Sequence, residues 1–168
     1  MALLDINDYP IAEESFNLRD LLQRVLDTVG TLYAAREIPL PTRQYWTMER
    51  PVEDCEQVVV WFLQMYLGAP GDQASVPQRC GGIRSAVINV DITRQYPIGE
   101  NGKAVSPERI LKAGQWSAVD TQTLMDGLMA FDSSGEGSAG PGVIATVQAQ
   151  EPMGGMQTIR LNLTIAVL

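Results

Sequence analysis

Two neighbouring stretches decide the fold. The first is Cys55-Glu56-Gln57-Val58-Val59-Val60-Trp61-Phe62-Leu63-Gln64-Met65-Tyr66-Leu67. The second is Gly82-Ile83-Arg84-Ser85-Ala86-Val87-Ile88-Asn89-Val90-Asp91-Ile92-Thr93-Arg94. The first is a nearly continuous run of β-branched and aromatic residues, the pattern of a strand buried on both faces. The second alternates. Ala86, Ile88, Val90 and Ile92 share one side, and Ser85, Asn89, Asp91 and Thr93 share the other. Alternation of this kind marks an antiparallel strand with one face in a core. The two stretches together predict one long hairpin. Its loop, residues 68–79, is longer than the usual hairpin loop of about two to five residues, and such loops tend to be functional or mobile.

Upstream lies a connector, residues 39–54, with Pro39, Pro41 and Pro51 and with Arg43, Tyr45, Trp46 and Arg50. It has room for a short strand over 43–48. Arginine beside aromatic residues suits an interface anchor; equally, Tyr45 and Trp46 could close one end of the core. Further upstream, Asn17 is a candidate N-cap and Asp20 places a carboxylate at a helix N-terminus. Leu18, Leu21, Leu22, Val25, Leu26, Val29, Leu32 and Tyr33 then follow the three-to-four spacing of one apolar helix stripe. Residues 1–14 read as a loosely held N-terminal arm.

Downstream of the hairpin, residues 96–102 are a turn. Ser106-Pro107-Glu108 then opens a second helix, with Ser as N-cap, Pro at the first position and Glu complementing the dipole. Ile110, Gly114, Ala118 (or Ser117), Thr121, Leu124 or Met125, and Leu128 continue one face to about Phe131. Residues 132–142 have the composition of a flexible linker. A second hairpin follows. Val143, Ala145 and Val147 alternate in its first strand, and Ile159, Leu161, Leu163, Ile165 and Val167 in its second. The order is αββαββ. The expectation is a single α+β domain over residues 1–168, with an antiparallel or mixed sheet and both helices packed on one face.

Composition bounds the function. The chain has 168 residues, 45% of them hydrophobic, enough for a real core. Its formal net charge is −8, which repels phosphate backbones rather than collecting them. The first residues lack the basic and apolar regions of a secretory leader. No run approaches the ~20 apolar residues of a membrane span. Cys55 and Cys80 fall near opposite ends of the predicted hairpin, too far apart to bridge, and read as free thiols in a reducing compartment.

The chemistry of the residues points away from catalysis. The chain has no His, which removes Ser-His-Asp, Cys-His and His-ligated metal sites. Cys55 sits between Asp54 and Glu56, whose charges oppose formation of a thiolate. Gly135-Glu136-Gly137 and Gly140-Pro141-Gly142 lack the lysine and spacing of a phosphate loop. Carboxylate neighbours such as Glu13-Glu14 and Glu53-Asp54 read as solvated rather than as an acid/base pair. The expectation is no enzyme, no cofactor and no metal.

Three stretches resemble the tail terminator (head-to-tail connector) proteins of long-tailed bacteriophages, especially those infecting actinobacteria. They are Pro41-Thr42-Arg43-Gln44-Tyr45 with Asp54-Cys55-Glu56-Gln57-Val58-Val59-Val60; Arg79-Cys80 leading into the 86–94 strand and Tyr96-Pro97; and Asp120 ahead of Leu124-Met125-Asp126. The resemblance implies a structural virion protein at the neck, assembled in the host cytoplasm. Such proteins form a hexameric ring that caps the last ring of tail-tube protein and ends elongation. The ring joins the tail to the head-side connector, and double-stranded DNA passes through its lumen without specific binding. Six chains at −8 carry −48 in total, a sign that keeps phosphates from sticking. On this reading Arg43, Tyr45, Trp46, Arg50, Glu53, Asp54 and Glu56 form a subunit or partner interface. Asp72, Gln73, Arg79 and Glu136 lie on docking loops, and Asn89, Asp91, Asn162 and Thr164 face the lumen. Two other readings stand beside it: a head-completion or stopper protein of the same neck, and a small cytoplasmic ligand-binding α+β domain with Asn89, Asp91, Arg160 and Asn162 lining a pocket.

Overall fold

The computed structural model describes residues 17–71, 84–99, 104–133 and 143–167. These form α1 (Leu18–Ala35), β1 (Arg43–Thr47), β2 (Gln57–Leu67), β3 (Arg84–Gln95), α2 (Pro107–Ser133), β4 (Val143–Ala149) and β5 (Met156–Val167). The architecture is α+β, with one five-stranded mixed sheet in the order β1-β2-β3-β5-β4. The short strand in the connector is present as β1. It runs parallel to β2, and every other neighbouring pair is antiparallel.

Asn17 caps α1, its Oδ1 accepting from the Asp20 backbone N–H at 3.3 Å. The apolar stripe follows as read, with Leu21, Leu22, Val25, Val29 and Tyr33 buried. The helix stops where Glu37 takes a left-handed backbone conformation, φ 55°. The Ile38 N–H then returns to the Tyr33 carbonyl at 3.0 Å, satisfying one of the last free carbonyls.

The strand registers sort residues onto two faces. Val58 and Val60 of β2, Ile88, Val90 and Ile92 of β3, and Ile159, Leu161 and Leu163 of β5 point to the helix side. There they join the buried stripe of α1 and Leu124 of α2 in one apolar core. Both helices therefore cover the same face. Gly127 of α2 lies against the Leu32 side chain of α1, where any Cβ would collide with Leu32.

The opposite face carries Gln57, Val59, Trp61, Asn89, Asp91, Thr93, Thr158, Arg160 and Asn162. No helix covers it. The connector between β1 and β2 crosses it instead, because parallel strands cannot be joined by a tight turn. Glu53 on this connector reaches Thr158 and Arg160 on β5. Gly71, at φ 92°, lies against the Ile144 side chain of β4, so the chain leaving β2 also passes over this face.

Two expectations need correction. β2 is buried on both faces only over Gln57–Trp61. Its register shifts between Phe62 and Gln64, and Leu63, Met65 and Leu67 beyond it are exposed. The helical face read from Ile110 through Gly114, Ala118 (or Ser117) and Leu124 or Met125 is packed only in part: Leu124 is buried, but Ile110 and Met125 are exposed and Gly114 faces open space. α2 packs through Leu124 together with Asp120, Thr123 and Gly127. Its inner side is partly polar, so apolar spacing met it only at Leu124.

Candidate assembly interface

The far face of the sheet holds a buried ion pair. Arg160 grips Asp91 with two hydrogen bonds, Nε to Oδ1 and Nη2 to Oδ2, both at 2.7 Å. The Trp61 indole N–H donates to Asp91 Oδ2 at 2.9 Å. Glu53 closes the group with Oε1 3.5 Å from Arg160 Nη2, and its Oε2 accepts from Thr158 Oγ1 at 2.9 Å. Strand register explains the cluster: Asp91 pairs directly with Arg160 and Asn89 with both Trp61 and Asn162. The hydrogen bonds to Asp91 hold the Arg160 guanidinium more firmly protonated, outweighing its burial. Asp91 and Asn89 are each only 1% exposed. Neither is therefore available to a lumen or to a ligand, which corrects that part of the sequence reading. Bidentate pairing across adjacent strands consumes Asp91 and Arg160. Asn162 and Thr164 on the same face remain half-buried, and Asn162 Nδ2 reaches Thr146 Oγ1 at 3.5 Å. Asn89 Oδ1 has no hydrogen-bond partner among the described residues.

The connector residues divide between the two faces of β1. Arg43 and Tyr45 lie on the far face, and Trp46 lies on the helix side. Trp46 Nε1 donates to Gln23 Oε1 on α1 at 3.1 Å, so this indole serves the core. Tyr45 donates its hydroxyl to Gln57 Oε1 at 3.2 Å. Arg43 pairs within the chain, Nη1 lying 3.3 Å from Asp54 Oδ1 and 2.9 Å from Cys55 Sγ, with its guanidinium over the Tyr45 ring. Both Arg43 and Asp54 keep more than half of their side-chain surface. Arg50 meets Glu53 at 3.6 Å, and Glu56 Oε1 accepts from the Gln95 N–H at 3.2 Å. The structure thus keeps Arg43, Tyr45 and Asp54 near the β1 edge, carries Glu53 with Arg50 across the far face to β5, sets Glu56 at the end of β3 and turns Trp46 to the helix side, and much of their pairing is internal.

A third cluster was missed by sequence reasoning. Arg94 Nε and Nη2 donate to the two oxygens of Asp120 at 2.6 and 2.9 Å, and Tyr33 donates its hydroxyl to Asp120 Oδ1 at 3.0 Å. Burial opposes the charge on Arg94, but the Asp120 carboxylate outweighs it and raises the guanidinium. Burial, and then the same carboxylate, push the Tyr33 hydroxyl far above its ordinary value. The available signal was a tyrosine on the apolar stripe of α1 and an aspartate inside a helix, each needing a buried partner. Arg94 also stacks on Trp116, 4.6 Å from the ring centroid. These two residues wall a cleft of about 670 Å³, whose lining includes Glu56, Ile98, Arg109 and Lys112.

Asp72, Gln73, Arg79, Cys80 and Glu136, and the arm over residues 1–14, lie outside the described residues. Among the described residues no helix is long and apolar enough to cross a membrane. No family model matches the chain, and no curated protein matches it.

Proposed function

We propose that the protein is a structural subunit of a bacteriophage tail, a tail terminator acting as a hexameric ring. The ring caps the tail tube, ends its elongation and joins it to the head-side connector, with DNA passing through the lumen. The reading starts from the resemblance in residues 41–60, 79–97 and 120–126. The observation that carries it further is the chemistry of the two sheet edges. β1 presents Arg43 and Tyr45 beside an acidic connector. β4, Val143–Ala149, has no charged residue and no proline. Sheet edges normally carry such guards against pairing, so an unguarded edge suits a contact made in assembly. A closed ring of identical subunits needs two different, complementary side surfaces, and the two edges differ in the required sense. The far face would then turn Asn162 and Thr164 toward the lumen.

Mass measurement and imaging of the purified protein, alone and with tail-tube protein, test the reading. A six-fold ring seated on tube ends supports it. A chain that stays monomeric and leaves tube length unchanged overturns it. Arg43→Glu reports on the edge: the Arg43–Asp54 pair is exposed and screened by solvent, so the subunit stays folded while assembly weakens. A head-completion role would show as binding to the connector without capping of tubes. The cleft beside Trp116 favours a ligand-binding domain as the alternative, which predicts a monomer that binds a small molecule there.

A further inference from the structure

We propose that the cleft at the start of α2 receives the N-terminal segment, residues 1–16, of a neighbouring copy of this chain. The proposal rests on the ring reading for the presence of neighbours. The cleft's own chemistry selects the occupant. Arg36, Arg43, Arg50, Arg94 and Arg160 are each committed to a carboxylate. Arg109 and Lys112, one helical turn apart on the cleft wall, make no ion pair with the described residues. Glu56 is the carboxylate in the lining, and it is occupied by the Gln95 N–H. Trp116, Tyr96 and the exposed Ile98 add apolar wall. Such a cleft suits an extended segment that mixes carboxylates with apolar side chains.

Residues 1–16 have that composition. They carry Asp5, Asp8, Glu13 and Glu14 among Leu3, Leu4, Ile6, Tyr9, Ile11 and Phe16, and all 12 Lys and Arg of the chain lie beyond them. Reach decides whose cleft is used. Tyr33 touches Asp120, which holds Arg94 at the cleft. From Tyr33 back to Asn17, α1 spans about 24 Å. Glu13 and Glu14 lie within about 14 Å of Asn17 even fully extended, and Asp8 within about 30 Å. Glu13 and Glu14 therefore fall short of their own cleft, and Asp8 could reach it only by retracing α1 almost fully extended, whereas a neighbour's cleft needs no such retracing.

The chain has two lysines, Lys103 and Lys112, so zero-length amine–carboxyl coupling gives a clean readout. The full-length protein is assembled from equal parts of nitrogen-15-labelled and unlabelled chains, coupled with a carbodiimide and digested. The expected product joins Lys112 to Asp5, Asp8, Glu13 or Glu14, with mixed-label pairs as frequent as same-label pairs. Separately, Arg109→Ser with Lys112→Ser should weaken assembly about tenfold and flatten its salt dependence, since both charges act through the interface. A ring whose Lys112 never couples to residues 1–16, or couples only within one label, overturns this proposal and leaves the ring intact. A protein that remains monomeric overturns both.

Discussion

Removing the carboxylate of Asp91 should be among the most damaging single changes in this chain. Asp91→Ala deletes three hydrogen bonds at once: two from Arg160 at 2.7 Å and one from Trp61 at 2.9 Å. Hydrogen bonds to charged groups are worth about 1.5–3 kcal/mol each, but three on one carboxylate do not add independently. Breaking a buried pair by removing one partner costs about 3–5 kcal/mol, because the other charge stays buried. Glu53 at 3.5 Å gives Arg160 partial relief, so about 3–4 kcal/mol is the expected loss. With a urea m-value of about 2 kcal/mol per molar, the unfolding midpoint falls by about 1.5–2 M. The double variant Asp91→Leu, Arg160→Met separates the pair's net worth from the penalty of orphaning one charge. It leaves the Trp61 N–H without its acceptor while Glu53 keeps Thr158 and Arg50, so it should lie about 1–3 kcal/mol below the native protein. Urea unfolding followed by tryptophan fluorescence measures both. A loss below about 1 kcal/mol for Asp91→Ala would refute the reasoning, since it would mean that water already serves this carboxylate. A double variant less stable than Asp91→Ala would refute the division between pair and penalty.

Other expectations follow from the local geometry. The Tyr33 hydroxyl is held protonated in the fold, while in the unfolded chain it ionises near pH ~10. Stability present below that pH is therefore lost as pH rises above it, and Tyr33→Phe should flatten this alkaline limb in thermal melts. Asp126 is depressed by its hydrogen bond from Arg36. Its contribution is present above the unfolded value near ~4 and is lost as pH falls below it; Arg36→Gln should remove that acid dependence. Glu37 sits at φ 55°, so Glu37→Gly should raise stability by about 0.5–1 kcal/mol, read as a higher melting temperature. Gly127→Ala drives a methyl into Leu32 and should cost about 1–3 kcal/mol by the same measurement, with Leu32→Ala restoring part of the fit.

Much of the fold was legible because single residues marked it. Asn17, Ser106 and Pro107 announced the helix starts, and alternation over Ala86–Ile92 and Ile159–Val167 announced the two central strands. Those signals are local, and they survive in the structure. The strand order was not legible. Nothing near Met156 says that β5 lies between β3 and β4, because that placement depends on contacts across the whole chain. Polar residues on a strand were read as solvent-facing, and here the rule failed at Asp91. Its partner Arg160 is 69 positions away, and only the register puts the two side by side. The same applies to Asp120, whose partners Tyr33 and Arg94 come from α1 and β3. Trp46 and Tyr45 were left open between interface and core. Their opposite sides of β1 divide the answer, with Trp46 on the core and Tyr45 on Gln57.

The position of Arg160 also sets an order of events during synthesis. Glu53 and Asp91 both wait on one guanidinium made 69 residues after Asp91. At about 5–20 residues per second, a ribosome leaves that carboxylate without its partner for about 3–14 s. During this interval β3 also exposes the edge that β5 will occupy, while the connector bearing Glu53 lacks its anchor. The nascent chain therefore carries an unfinished sheet and an uncompensated charge at the same place. That charge opposes pairing with a second nascent chain, since like carboxylates would meet across the open edge. The residue that later seals the sheet is thus matched to one that guards it until then.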